Sequence, residues 1–185
     1  MRLPILQYGA PILRVKGKRV EQIDVSVRAL ASDMLETMHA ANGVGLAAQQ
    51  VGHALQLTVV DVSQVEDRPS TMKLNGAEVD PVAAMPLVLL NPKLELGAES
   101  LLEMEGCLSF PDITGDVERT STVVAQALTL EGAEVRIEAT GLLARALQHE
   151  IDHLNGILFI DRMSSALKVS LASRLKRLQK ENRRG

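Results

Sequence analysis

The spacing of apolar residues predicts a first helix over residues 24–38. Its apolar positions recur every three or four residues, which places them on one face of a helix. They are Val27, Leu30, Ala31, Met34, Leu35 and Met38. Asp24 is suited to cap the start of this helix, and the pair Asn42-Gly43 is typical of a helix end.

Two more helices are predicted near the C-terminus. One covers residues 142–154, with Thr140 as its predicted cap and Asn155-Gly156 as its end. Few of its positions are polar, so we expect it to be largely buried. The last helix places basic residues around one apolar stripe, formed by Leu167, Leu171, Leu175 and Leu178.

Apolar runs between these helices predict β-strands. Residues 55–62 predict a buried strand, and "PLVLLNP" predicts a short strand closed by Pro92. The segments "TVVAQALTL" and "AEVRIEA" flank Glu131-Gly132 and predict a hairpin. Residues 63–85 are polar and predict a long surface excursion. The pattern favours a single α+β domain over residues 1–185, with antiparallel β-sheets wrapped around a central buried helix and a helix at each end.

The composition narrows the possible functions. Aromatic residues make up 2 % of the chain, which argues against a base-stacking nucleic-acid surface, so DNA is not an expected partner. No apolar run approaches the ~20 residues that cross a bilayer, and the N-terminus lacks an apolar signal core, so no membrane association is expected. The single cysteine, Cys107, excludes an intrachain disulfide and fits a cytoplasmic location.

The stretch "QHEIDH" carries the strongest chemical signal. His149 and His153 are four residues apart, so on a helix both imidazoles project from one face and can bind one metal ion. Glu150 lies about 100° around the helix and can reach a water on that ion without binding the ion itself. This is the HExxH pattern of metal hydrolases, and it does not by itself identify the bond that is cleaved.

A catalytic metal site usually has three protein ligands and one open position, so a third ligand is required. His39 and His53 flank a glycine-rich loop, Asp161 follows the helix, and the segment after the motif holds Glu181 but no histidine. Cys107 lies in the polar stretch "EGCLSFP". This context favours a metal-binding thiolate over the alternative, a small buried thiol.

Three blocks of sequence together resemble the signature motifs of the peptide deformylase family. They are "GVGLAAQQ" at residues 43–50, "EGCLS" at residues 105–109 and "QHEIDH" at residues 148–153. The start "APILRV" and the basic C-terminal helix are also similar to the family, so the resemblance covers nearly the whole chain. It implies a hydrolase that removes the formyl group from N-formylmethionyl nascent peptides and releases formate.

The resemblance implies a role for each motif residue. Cys107, His149 and His153 would bind one divalent ion, usually Fe(II) in the family, for which Zn(II), Ni(II) or Co(II) can substitute. A water bound to that ion would attack the formyl carbon. Glu150 would take a proton from this water and later pass one to the leaving amine.

The family also implies how the substrate is held. The side-chain amide of Gln50 and the backbone N–H of Leu108 would stabilise the developing oxyanion. The alternative for Gln50 is a solvated loop amide. Gly43 and Gly45 would let the loop backbone pair with the peptide as an added strand. The methionine side chain would enter an apolar pocket lined by Val44, Leu108, Leu142, Ala146 and His149.

Other residues have two possible interpretations. Glu105 is expected to pair with Arg119 behind the Cys107 loop and Asp152 to hold a nearby group, or both are ordinary polar residues. Gln49 stands where the family often has proline, which predicts a looser loop. The 63–85 excursion, which is longer than in many members, either shapes the substrate entrance or is passive.

Two alternative functions are disfavoured by the sequence, and the C-terminal segment has a distinct charge. An HExxH protease is disfavoured by the missing downstream ligand, and a non-catalytic relative has no need of Glu150 and Gln50. Residues 164–185 carry a net charge of +6 within a chain of net charge −3. This basic helix is either a solvated cap or, as the resemblance implies, a contact with ribosomal RNA.

Overall fold

A computed structural model describes residues 1–183 as three α-helices, nine β-strands and short 3-10 turns. The helices are α1 (Val25–Ala40), α2 (Gly141–Leu154) and α3 (Ser165–Asn182). The strands are β1 (Gly45–Ala47), β2 (Leu57–Val60), β3 (Met72–Leu74), β4 (Ala77–Val79), β5 (Leu87–Leu96), β6 (Ser100–Gly106), β7 (Thr114–Thr120), β8 (Thr122–Leu128) and β9 (Glu134–Thr140).

The strands form two antiparallel sheets. Seven of them lie in the order β1-β2-β5-β8-β9-β3-β4, and β6 pairs with β7 in a separate two-stranded sheet. Alternate residues of β2 face opposite sides, as expected for a strand. Val60 packs in the cluster that contains α2, whereas Leu57 and Val59 pack in the cluster that contains α1. The predicted α+β class is confirmed.

Helix α2 is the most extensively buried of the three helices. All residues from Leu142 to Leu154 are buried, and they pack against the strands of the main sheet, including β1, β2, β8 and β9. The predicted end is confirmed, because Asn155 follows the helix and Gly156 has a φ of +73°. Thr140 occupies the predicted cap position, but its side chain makes no capping hydrogen bond, and the Leu143 N–H donates instead to Ser70 Oγ at 2.9 Å.

The segment 63–85 is not merely a surface excursion. It contains β3 and β4, and β3 pairs with β9 as part of the main sheet. The turn between them is Asn75-Gly76, with φ values of +50° and +86°. Because both residues have positive φ, they suit a tight hairpin, and an Asn-Gly pair between strands is a recognisable sequence signal for one. The prediction of a surface excursion is therefore incomplete, because it omits this hairpin.

Other predicted elements are close to the observed ones. Asp24 Oδ1 accepts the Val27 N–H at 2.9 Å and caps α1 as predicted. The hairpin around Gly132 is confirmed as β8 and β9. Strand β5 is longer than predicted, because a register shift between Leu90 and Lys93 carries it past Pro92.

Helix α3 packs its leucine stripe against a third cluster, which also contains the three aromatic residues of the chain. Leu171 and Leu178 are buried there, so the predicted stripe is confirmed. Arg184 and Gly185, which belong to the predicted basic helix, lie outside the described residues. Within residues 1–183, no helix is both long and apolar enough to span a membrane.

Candidate metal centre

The two histidines of α2 and the thiol of Cys107 converge on one point. Their potential ligand atoms all lie within 4.8 Å of one another, and Cys107 Sγ is 3.3 Å from His153 Nε2. In a tetrahedral site, metal–sulfur and metal–nitrogen bonds of ~2.3 and ~2.0 Å separate the sulfur and nitrogen by about 3.5 Å. The observed spacing therefore fits three ligands of one ion.

A turn at the end of β6 positions Cys107. The Phe110 N–H donates to the Cys107 carbonyl at 2.9 Å and folds the loop back towards α2. The Phe110 ring is 1 % exposed and packs between Tyr8 and Phe159, with ring centroids 4.9 and 5.0 Å away. The three aromatic rings of the chain therefore pack together and hold the loop that carries Cys107.

The other candidate ligands suggested by the sequence do not join this group. His39 Nε2 lies 2.8 Å from Asp61, and Asp161 pairs with Arg14. His53 and Glu181 are exposed. In the part of the chain that the structure describes, the only cluster of three or more potential metal ligands is Cys107 with His149 and His153.

Glu105 orients His149 from behind. Its Oε2 is 3.0 Å from His149 Nδ1, so the other ring nitrogen is left for a metal. Glu105 also accepts from Arg119 at 2.5 and 3.1 Å and from Arg145 at 2.8 Å. Burial alone would raise the pKa of Glu105, but the bonds from His149 and Arg119 outweigh it and lower that pKa to about 2. The expected Glu105–Arg119 pair is present and buried.

Asp152 extends this network to the protein surface. Its carboxylate accepts from Arg119 at 2.8 Å and from Arg162 at 2.8 and 3.1 Å. The expectation that Asp152 holds a neighbouring group is therefore confirmed, and that group is a pair of guanidinium ions. A continuous chain of hydrogen bonds leads from Arg162 through Asp152, Arg119 and Glu105 to His149.

The two histidines have different electrostatic environments. Burial, together with the charge of His149, holds the pKa of His153 well below its usual value. Burial also acts to lower the pKa of His149, but hydrogen bonds to Cys107 and Glu105 outweigh burial and raise it. The cluster thus stabilises positive charge at His149, and a bound cation can take the place of the proton.

Glu150 is buried beside this cluster with an unused oxygen. The residue is 4 % exposed, and its Oε2 has no hydrogen-bond partner among the described residues. Burial raises the pKa of Glu150 to about 7. Gly45 makes room for it, since a Cβ on Gly45 would lie 2.3 Å from Glu150 Oε1. The glycine expected to approach substrate thus also accommodates this carboxylate.

Gln50 is not a solvated amide. It is 1 % exposed, and its Oε1 accepts the Ala47 N–H at 2.8 Å. This hydrogen bond distinguishes the oxygen of the side-chain amide from its nitrogen. Its Nε2 donates to Ser109 Oγ at 3.1 Å and lies 3.7 Å from Cys107 Sγ. The amide nitrogen is therefore held next to the candidate metal ligand.

A cavity of about 500 Å³ opens onto these groups. Its walls include Cys107, His149, Glu150 and Gln50, whereas His153 lies behind them. Every residue predicted to contact substrate also lines it, namely Gly43, Val44, Gly45, Leu108, Leu142 and Ala146. Larger cavities of about 760 and 560 Å³ exist, but neither contains a candidate ligand, so size does not identify the site.

Comparison with known proteins agrees with this geometry. Residues 2–169 match the family model described as polypeptide deformylase. The chain belongs to the polypeptide deformylase family. Peptide deformylase of Opitutus terrae is 42 % identical over 185 residues, which cover 99 % of this chain and 96 % of that protein. That of Acinetobacter baumannii is 41 % identical over 98 % of this chain and 94 % of that protein.

Solved deformylase structures share the fold. The peptide deformylase of Ehrlichia chaffeensis has a TM-score of 0.83 and 36 % identity, covering 98 % of both chains. Arabidopsis thaliana peptide deformylase 1B, solved with an inhibitor, has a TM-score of 0.83 and 35 % identity, covering 98 % of this chain and 91 % of that one. As a member of the polypeptide deformylase family, the chain is a metal-dependent hydrolase that deformylates nascent peptides.

Gln49, which stands where the deformylase family often has proline, does not loosen the loop. Gln49 was expected to loosen the loop, but it is 0 % exposed. Its Nε2 donates to the carbonyls of Leu154 at 3.2 Å and Val15 at 3.3 Å. Gln49 therefore ties the loop to the C-terminal end of α2, where Gln56 Nε2 also donates to the Leu154 carbonyl at 2.8 Å.

Three residues that support or line the candidate site were not predicted from the sequence. Arg145 binds Glu105, Arg162 binds Asp152, and Arg68 lines the cavity from the 63–85 segment. The only available signal was the presence of Arg145 on a helix otherwise expected to be apolar, since a buried charge requires a partner. Arg68 and Arg162 lie outside the three motifs and are placed only by long-range contacts.

Proposed function

We propose that residues 1–185 act as one catalytic domain that hydrolyses the formamide of N-formylmethionyl nascent peptides, with Glu150 as general base and acid. The observation that carries this proposal is the buried Glu150 carboxylate, whose Oε2 has no partner among the described residues and which lies beside the Cys107, His149 and His153 cluster. Because its substrates are growing polypeptides, the cytoplasm is the proposed location.

Cys107, His149 and His153 are the proposed metal ligands. A thiolate with two imidazoles accepts Fe(II), Zn(II), Ni(II) or Co(II), and we propose Fe(II) as the native ion from the resemblance to the family. When bound, a divalent ion supplies Lewis acidity, which makes a water more acidic and polarises a carbonyl. Glu105 keeps His149 in the required orientation through the Nδ1 contact.

Glu150 moves the proton. A carboxylate with a pKa of about 7 is suited to accept a proton near neutral pH and to release it again. In the proposed reaction, Glu150 removes a proton from the attacking water and delivers one to the departing amine nitrogen. The bond from the formyl carbon to nitrogen breaks, and formate and a free amino group are the products.

Gln50 and Leu108 are the proposed oxyanion donors. Gln50 Nε2 has two hydrogens, and the bond to Ser109 uses one of them. The second is directed at Cys107 Sγ at 3.7 Å in the free protein, and we propose that it turns to the formyl oxygen as negative charge develops there. The Leu108 backbone N–H is the proposed second donor, and loss of one such donor typically lowers the rate by ~10²–10³-fold.

The proposed peptide site lies along β1. This strand is at one end of the main sheet and pairs only with β2 among the described strands, so its other edge can accept an added strand. Gly43 and Gly45 keep the backbone accessible, and Val44, Leu142 and Ala146 offer an apolar wall for the methionine side chain.

A formate-release assay tests the function. We expect the metal-loaded protein to release formate from formyl-Met-Ala-Ser and to leave internal peptide bonds intact. Glu150→Ala should retain bound metal but lose turnover, whereas Glu78→Ala, at an exposed position of β4, should not change either. Internal cleavage without formate release would overturn the proposal, and an active Glu150→Ala variant would remove Glu150 from its assigned role.

We also propose that the basic C-terminal helix contacts ribosomal RNA. Its leucine stripe faces the protein, and most of its basic residues are exposed, as phosphate binding requires. Replacement of the exposed Lys176, Arg177 and Lys180 by glutamine keeps the buried leucine stripe in place. This variant should bind the ribosome more weakly, with a smaller dependence on salt, and preserve activity on short peptides. Ribosome binding that is unchanged in this variant would identify the helix as a solvated cap.

A further inference from the structure

The 63–85 segment brings a positive charge to the substrate cavity. Arg68 lines this cavity together with Leu142, Ala146 and Glu150. Two contacts fix the position of the segment, because β3 pairs with β9 and Ser70 caps α2. The Arg68 side chain is 37 % exposed, so it is accessible from the cavity entrance.

Arg68 is only partly neutralised. Its Nη2 lies 2.9 Å from Glu103 Oε2, and Arg145 Nε lies 2.9 Å from the same oxygen. One carboxylate is therefore shared by two guanidinium groups. Glu105, the second acidic partner of Arg145, is also bound to Arg119. Of the guanidinium groups that share Glu103 and Glu105, only that of Arg68 is exposed, because Arg119 and Arg145 are buried.

Neighbouring acids do not remove this charge. Glu66 and Asp67 precede Arg68 in the chain, but they do not line the cavity. Asp112 does line it, on the loop after Cys107, and it forms no ion pair with Arg68 among the described residues. Apart from the contact with Glu103, the donors of Arg68 have no protein partner in the described part of the chain.

We propose that Arg68 is a specificity-determining residue that binds a carboxylate on one of the two residues following the formylated methionine. The proposal rests on the proposed function, because that function places the formyl group at Cys107 and Glu150. The following residues must then leave the cavity through its opening, where Arg68 is exposed. A planar guanidinium with free donors is well suited to a carboxylate, which it can bind through two hydrogen bonds.

The expected effect is moderate because the pair is partly exposed. Exposed pairs of this kind change an equilibrium by about two- to fivefold, and salt screens them. A lysine at the same peptide position should be disfavoured by a similar factor. Together these effects predict a ratio of kcat/KM between aspartate and lysine peptides of about tenfold, which decreases as ionic strength rises.

The test uses C-terminally amidated peptides formyl-Met-Xaa-Ser and formyl-Met-Ala-Xaa, with aspartate, alanine or lysine as Xaa. We expect the wild-type protein to favour aspartate in one series and Arg68→Glu to favour lysine instead. Arg68→Gln should show little preference. Lys73→Glu makes the same change of charge on β3, outside this cavity, and should retain the wild-type ratio.

The outcomes separate the possible explanations. If no peptide releases formate, the proposed function fails; if all peptides react and the wild-type protein shows no preference, only the role of Arg68 fails. Equal losses on all peptides in Arg68→Glu and Arg68→Gln would indicate a purely structural contact with Glu103 and overturn the proposal. Free-acid peptides distinguish a chain-terminal carboxylate from an aspartate side chain as the bound group.

A second variant tests the same idea without altering Arg68. Glu103→Gln removes the carboxylate that competes with the substrate for Arg68, while its amide oxygen can still accept a hydrogen bond. We expect the ratio between aspartate and lysine peptides to increase. A decreased ratio would contradict the proposal, because it would show that Glu103 does not compete for the guanidinium.

Discussion

Replacement of Glu105 by Gln should destabilise the metal-free protein by about 3 kcal/mol at pH 7. The pKa of Glu105 falls from 4.5 to about 2 on folding, and each unit of pKa shift corresponds to about 1.4 kcal/mol. Gln keeps the shape of the side chain but removes the charge that holds Arg119, Arg145 and His149. For a protein of this size, a loss of 3 kcal/mol lowers the Tm by about 6–12 °C.

The pH dependence has a defined sign. Because the folded-state pKa is depressed, the stabilisation is complete above pH 4.5 and is lost as the pH falls towards 2. The free energies of unfolding of wild-type protein and Glu105→Gln should therefore differ most near pH 7 and become similar in acid.

Glu103→Gln is the matched control. It alters a carboxylate of the same strand that is 44 % exposed, so it should cost at most about 1 kcal/mol. Equal stability of Glu105→Gln and wild type at pH 7 would refute the reasoning.

Three further predictions concern the catalytic residues, the cap of α2 and the metal. Gly45→Ala should lower kcat by about 100-fold without loss of metal, because the new Cβ displaces Glu150. Gly43→Ala should affect KM more than kcat in the same formate assay, because its Cβ clashes with the flexible tip of Leu108 at 2.6 Å and meets Met38 only at 3.4 Å. Ser70→Ala should cost about 1 kcal/mol in urea unfolding, since it removes the cap of α2, and an unchanged midpoint would contradict this role. Removal of the metal by a chelator should expose the Cys107 thiol to alkylation, as read by mass spectrometry, and lower the Tm; equal labelling of loaded and metal-free protein would exclude Cys107 as a ligand.

Sequence patterns predicted the elements with clear periodicity. Helix α1 and the β8–β9 hairpin have well-separated apolar and polar positions, and α2 is recognisable because few of its positions are polar. Strand β6 was missed because it alternates poorly and is mostly exposed, with Leu101, Leu102 and Met104 facing solvent. A short two-stranded sheet of this kind is set by its contacts with the rest of the fold and not by local pattern.

Only part of the candidate site could be predicted from the sequence. The motif residues converge as expected, because helical spacing alone places His149 and His153 together. The roles of Ser70 and Gln49 could not be predicted, since each depends on a partner far along the chain. Arg145 on an apolar helix indicates that a buried partner exists, but not that this partner is Glu105. Tertiary contacts of this type carry no signature in a local stretch of sequence.

Helix α2 is hydrogen-bonded to other segments at both ends, and this affects how the protein unfolds. Ser70 holds the first turn, and Gln49 and Gln56 hold the Leu154 carbonyl. These partners belong to the strand-bearing segments of the main sheet, so the helix cannot fray independently. Its amide protons should therefore exchange with solvent only through global unfolding. His149 and His153 then remain in register for as long as the molecule is folded, so a metal held by the proposed ligands should exchange from the Cys107 side.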